Sequence, residues 1–154
     1  MIIMGIDPGK NGGVAIMDKE GKILWSCVMP LMPDGRVDAL QLAYWISGFK
    51  VDKACMEKCG AMPKQGVVSM MTFGKCIGVV EGVLGAMEVS YIEITPQIWK
   101  KTILKGTKKD KEASISYCRK KYPGINLLPT ERSRKFHHGI ADAICLAEYG
   151  RLNW

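Results

Sequence analysis

Ile2-Ile3-Met4-Gly5-Ile6-Asp7-Pro8-Gly9, followed by Gly12-Gly13-Val14-Ala15-Ile16-Met17, decides how the rest of the chain is read. Two short apolar runs flank a glycine-rich turn, a pattern that predicts paired β-strands over Ile2–Ile6 and Gly13–Met17. An acid, Asp7, stands where the first strand ends. A third run, Lys22–Val28, follows the turn residues Glu20-Gly21 and completes an antiparallel meander.

Beyond a proline-containing loop at 30–35, apolar residues at helical spacing predict a helix over Val37–Phe49. Lys53–Glu57 then reads as a short buried strand, about 66–87 as a long helix, and Tyr91–Ile94 as a fifth strand. Thr95-Pro96 suits a helix start. Two basic helices are expected over roughly 96–104 and 109–121, the second ended by Pro123-Gly124. An irregular loop leads to a closing helix over His138–Arg151, with Ile140, Ile144, Leu146 and Ala147 on its apolar side. Three antiparallel strands, then helix, strand, long helix, strand and helices is the element order of an RNase H-like α/β fold. The expected sheet is five-stranded and mixed, with helices on both faces.

The length of 154 residues suits one domain, 1–154, and the composition is that of a folded globular protein. Lys and Arg number 22 against 15 Asp and Glu, a net charge of +7, which creates a field attractive to a polyanion. The basic residues concentrate at Lys100, Lys101, Lys105, Lys108, Lys109, Lys111, Arg119, Lys120 and Lys121. The six cysteines form no C-x-x-C pair, which argues for free, buried thiols over a zinc site or a disulfide framework. No secretory leader and no run of the ~20 apolar residues needed for a membrane span is read from the sequence, so a reducing cytoplasm is the expected location.

Glu57 ends the fourth strand as Asp7 ends the first. If these strands are parallel neighbours, both carboxylates emerge at the carboxyl end of the sheet, where α/β folds place ligands. Taken singly, each reads equally well as a solvated acid at a strand end. Asp142 sits in an otherwise apolar helical stretch, Gly139–Cys145, where an unpaired ionised carboxylate is costly. A cation shared with Asp7 and Glu57 would meet that need. His138 lies one turn earlier on the same face, whereas His137 is turned away. Hard oxygen donors suit Mg²⁺ or Mn²⁺, and a pair of such ions about 3.5–4 Å apart serves phosphodiester hydrolysis.

On these residues the chain resembles the RuvC family of Holliday-junction resolvases, particularly its compact bacteriophage members. The likeness comprises the Gly5-Ile6-Asp7-Pro8-Gly9 opening, Glu57, the glycine-containing long helix, Thr95-Pro96-Gln97 with Trp99-Lys100, Asp110-Lys111 and Ala141-Asp142-Ala143. It implies a homodimer that binds a four-way DNA junction and makes paired nicks with divalent metal, expected as two Mg²⁺ or Mn²⁺ ions per site. Asp7, Glu57 and Asp142 match three family ligands, and the fourth position falls on His138, a departure from the all-acidic version. Lys100 and Lys111 match two lysines placed near the scissile phosphate; each also reads as a solvated residue of a basic helix. DNA contacts are expected from Met62, Lys64, Lys100, Lys101, Lys108, Lys109 and Lys111. Met62 either touches an unstacked base or packs on the protein. Gly74, Gly78 and Gly82, with Gly85, face either a partner subunit or the chain's own sheet. A junction-binding protein with little nuclease activity is the alternative function. An actin-like phosphotransferase, which needs two such domains, requires a longer chain.

Overall fold

The computed structural model describes residues 1–60, 66–107, 110 and 112–154. Five strands form one sheet in the order β3-β2-β1-β4-β5. They are β1 (Ile2–Asp7), β2 (Gly13–Asp18), β3 (Ile23–Val28), β4 (Lys53–Glu57) and β5 (Ser90–Ile94). β1 pairs antiparallel with β2 and parallel with β4, and β4 pairs parallel with β5. The expected mixed sheet of an RNase H-like fold is present, with β1 at its centre. That position explains why β1 is apolar on both faces: helices cover each side.

Period-2 alternation sorts the side chains. Met4, Ile6, Ala54 and Met56 join one core with Leu42, Ile46, Cys76, Val80 and Leu84, contributed by α1 (Ala39–Phe49) and α2 (Val67–Ala86). Cys55 joins the opposite core with Trp99, Ile103, Cys118, Ile140 and Ile144, under α3 (Pro96–Ile103), α4 (Ala113–Lys121) and α5 (His138–Asn153). By the same alternation, Asp7 and Glu57 belong to this second face.

Two helix starts differ from expectation. α1 begins at Ala39, because the Asp38 side chain caps it by accepting from the Gln41 N–H at 3.0 Å, while Val37 bridges to Leu31. α4 begins at Ala113: the Asp110 carboxylate instead accepts the Glu112 N–H at 3.0 Å, a local turn that competes with helix.

α2 also overturns the expectation about membrane-length segments, since its 20 residues are long and apolar enough to cross a bilayer by length and composition. In the sequence Lys75 and Glu81 interrupt its apolar residues, between the recurring Gly74, Gly78, Gly82 and Gly85. Its inner face is anchored by Cys76, Val80 and Leu84, whereas Val67, Val68 and Met71 are exposed. A Cβ added to any of those four glycines would meet nothing within 4 Å among the described residues. Packing on the chain's own sheet therefore does not explain them.

Candidate active site

The parallel register Ile6↔Met56 makes Asp7 and Glu57 the next residues along two adjacent strands. Their side chains emerge side by side at the carboxyl end of the sheet. α5 brings the third acid. Its N-terminal turn lies on the β1–β2 turn so closely that a Cβ on Gly13 would come 2.5 Å from the Gly139 carbonyl oxygen. One turn on, Asp142 faces the two strand-end acids.

Charge coupling among the three is explicit. Asp7 has its carboxyl pKa pushed up to about 8 by burial, then by the negative charges of Glu57 and Asp142; the Lys100 ammonium acts the other way. Glu57 is raised chiefly by burial and further by Asp142, against the Trp99 hydrogen bond and Lys100, which lower it. Asp142 is also raised by burial, opposed by the Ser114 hydroxyl, Lys100 and His138. Lys100 is thus a cation felt by all three carboxylates, which places the sequence-predicted lysine at the acidic cluster.

Trp99, the residue before it, plays a part the sequence reading missed. Its side chain is fully buried, its indole N–H donates to Glu57 Oε2 at 2.7 Å, and Lys100 Nζ lies 5.0 Å from its ring centroid. The available signal was a tryptophan in the first turn of a basic helix, since a buried indole N–H needs an acceptor. Cys59, also missed, places its thiol 3.9 Å from Glu57 Oε1.

His138 stands near enough to Asp142 to lower its pKa, while its Nε2 is 3.2 Å from Glu112 Oε1. His137 stands at the N-cap position of α5 without a side-chain capping bond, and among the described residues its buried Nδ1 has no hydrogen-bond partner. Lys101 is exposed on α3. Met62, Lys64, Lys108, Lys109 and Lys111 lie outside the described residues. Lys121, counted with the basic cluster, is committed elsewhere: it pairs with the fully buried Glu148, which also accepts from Arg151 Nε at 2.7 Å and Nη2 at 2.9 Å.

Among the described residues, no three His, Cys, Asp or Glu side chains close around a single ion position. The donor chemistry nevertheless fits a hard divalent cation. Three oxygen-bearing acids share one face, and the most buried of them carries an ionised form that its neighbours disfavour. A divalent ion would supply the missing compensation.

No family model matches the chain, and no curated protein matches it. Solved structures do. Thermus thermophilus RuvC in complex with a Holliday junction substrate superposes with a TM-score of 0.69 at 18% identity, over 99% of this chain and 96% of that one. The fowlpox virus Holliday junction resolvase gives a TM-score of 0.66 at 16% identity, over the whole of both chains. The yeast mitochondrial Holliday junction resolvase gives 0.51 at 13% identity, over 97% of this chain and 78% of the other. The chain has the fold of these resolvases from end to end.

Proposed function

We propose that residues 1–154 act as one structure-selective DNA endonuclease that resolves four-way and related branched junctions by paired, divalent-metal-dependent phosphodiester hydrolysis. The observation that carries this reading is the meeting of Asp7, Glu57 and Asp142, from β1, β4 and α5, in mutual electrostatic contact with Lys100. The likeness of fold to three junction resolvases supports it.

Asp7, Glu57 and Asp142 would hold Mg²⁺ or Mn²⁺, with His138 at the margin. Bound there, such ions would supply Lewis-acid stabilisation of the charge that develops on the phosphodiester. The chain supplies the rest. The carboxylates act ionised, which their burial resists and Lys100 assists. The Lys100 ammonium neutralises a phosphate oxygen or the charge that develops as the phosphodiester breaks. The glycine turn after Asp7 keeps bulk away from the acids, so a DNA backbone can approach.

Paired nicking needs two sites. We assign the dimer contact to the outward face of α2, where Val67, Val68 and Met71 are exposed and four glycines stand open. Close backbone approach by a second copy compensates for glycine's poor helix propensity, about 1 kcal/mol relative to Ala at each position. A reducing bacterial or phage-infected cytoplasm suits the free thiols.

The test is cleavage of an end-labelled four-way junction in Mg²⁺ or Mn²⁺. Symmetric nicks are expected from the wild type and none from Asp7→Asn; equal cleavage by both removes the site. The second reading, a junction binder with weak nuclease activity, draws on the His138–Glu112 pairing, which engages the imidazole. Tight junction binding without nicking in any divalent metal would select it, and cleavage restored by His138→Asp would give the cause.

A further inference from the structure

We infer that Trp99 is a positioning residue of the carboxylate site: its indole N–H holds Glu57, and its ring holds Lys100. The mechanistic value of this rests on the nuclease reading; the contacts do not.

Trp99 occupies the first turn of α3, where Thr95-Pro96 starts the helix against the end of β5. Its ring is fully buried in the core shared by α3, α4 and α5, so its position is set by packing rather than by the acids. A buried indole has one polar atom, a donor that cannot accept, ionise or bind a cation. Here that donor meets Glu57 Oε2 at 2.7 Å. Hydrogen bonds to an ionised acceptor are short and roughly twice as strong as neutral ones. One oxygen of Glu57 is therefore pinned and the plane of the carboxylate restrained, while Oε1 lies 3.9 Å from the Cys59 thiol. A lysine in the same place would orient Glu57 too, but would cancel the charge a metal needs. The neutral indole orients without cancelling.

The ring face has a second tenant. Lys100 Nζ sits 5.0 Å from the ring centroid, within cation–π range. One rigid side chain thus sets the position of an acid and of the cation that all three acids feel. A core tryptophan with an incidental acceptor predicts no link to metal binding, and this separates the two accounts.

The experiment follows the indole N–H resonances of the apo protein during titration with Mg²⁺ alone. Trp99 is assigned by removing the other three indoles with Trp25→Phe, Trp45→Phe and Trp154→Phe. Its resonance is expected to move saturably with Mg²⁺ and to lose that response in Glu57→Gln. Trp99→Phe, which keeps an aromatic face and deletes the donor, is expected to raise the Mn²⁺ concentration for half-maximal nicking by about tenfold, the usual effect of losing a ligand's supporting hydrogen bond. Junction affinity measured in Ca²⁺ should be unchanged. A Trp99 resonance indifferent to saturating Mg²⁺ overturns the proposal even if Trp99→Phe fails to fold; so does an unaltered Mn²⁺ midpoint in the folded variant. A moving resonance in a protein that nicks nothing supports the positioning role and sinks the nuclease reading instead.

Discussion

Gly5 on β1 and Ala143 on α5 approach so closely that a methyl group on Gly5 would overlap the Ala143 carbonyl oxygen and come 2.9 Å from the Ala147 Cβ. This contact seats α5 on the sheet, and the seating delivers Asp142 to Asp7. Gly5→Ala is expected to cost at least 1–3 kcal/mol, because the neighbours it strikes are backbone and cannot rotate away. Urea unfolding should show the loss, and metal-dependent nicking should fall further than the folded fraction does. Stability equal to wild type would mean that α5 is not packed as described.

A Cβ on Gly78, in contrast, would touch none of the described residues. In a monomer Gly78→Ala should stabilise α2 by about 1 kcal/mol. If α2 is the dimer face, the same methyl group intrudes between subunits, and Gly78→Leu should do so more severely. Light scattering across a concentration series decides it: a wild-type dimer that dissociates in Gly78→Leu supports the assignment. A wild type that stays monomeric at high concentration refutes it.

The meander, the parallel crossover and the three acids were legible because each rests on local pattern. Strand alternation, Gly-Gly turns and a lone acid in Gly139–Cys145 are visible within a few residues. The convergence of Asp7 and Glu57 followed once their strands were taken as parallel neighbours, which the register bears out. What could not be read is pairwise and long-range. Trp99 and Glu57 are 42 residues apart, and Lys121 and Glu148 are 27 apart, so no periodicity marks either contact. α2 misled for a different reason: Lys75 and Glu81 break its run of apolar residues, although the 20-residue helix as a whole is apolar enough to cross a bilayer by length and composition.

The elevated pKa of Asp7 carries a pH signature. In the unfolded chain this carboxyl has the ordinary aspartate value of 3.8; in the folded apo protein burial and the neighbouring acids push it up to about 8. A group raised on folding contributes stability at pH below its unfolded value, and that contribution is lost as pH rises through the folded one. Glu57 and Asp142 shift in the same direction. In EDTA the wild type should therefore lose several kcal/mol of this contribution between about pH 4 and pH 8, on the order of 1.4 kcal/mol per pKa unit. Asp7→Asn should flatten much of that slope and be the more stable protein at pH 8. Parallel denaturation curves for the two proteins at pH 5 and pH 8 would contradict it, and Mg²⁺ should restore wild-type stability at the higher pH.

Lys100 lowers the pKa of all three acids. Lys100→Met removes that influence, so each carboxyl ionises at a higher pH. The acidic limb of the pH–rate profile for junction cleavage should then move upward, and the maximal rate should also fall by roughly 10²-fold if the ammonium stabilises the transition state. A lower rate with an unshifted acidic limb would place Lys100 at the phosphate alone, away from the acids.

Glu148 gives the opposite sign at a place remote from the chemistry. It is fully buried, yet burial, which alone would raise its pKa, is outweighed by hydrogen bonds from Arg151 and Lys121 and by their charges, and the net shift is downward. Tyr122 donates a further hydrogen bond to Oε2 at 3.2 Å. A carboxyl lowered on folding contributes stability above its unfolded pKa and loses it as pH falls through the folded value. This ion-pair network should therefore weaken on acidification, while the acid cluster around Asp7 relaxes. Glu148→Ala leaves a cavity at the α4–α5 contact and should cost about 1–3 kcal/mol at neutral pH, less than the breaking of a fully buried pair, because Lys121 and Arg151 are partly exposed and water can solvate the cations left behind. The cost should shrink on acidification below the ordinary glutamate range, as the wild-type carboxyl takes up its proton and the network is lost in both proteins. The remaining folded protein should bind Mg²⁺ with wild-type affinity, since no residue of the network belongs to the acid cluster; impaired Mg²⁺ binding would show that the two ends of α5 are coupled.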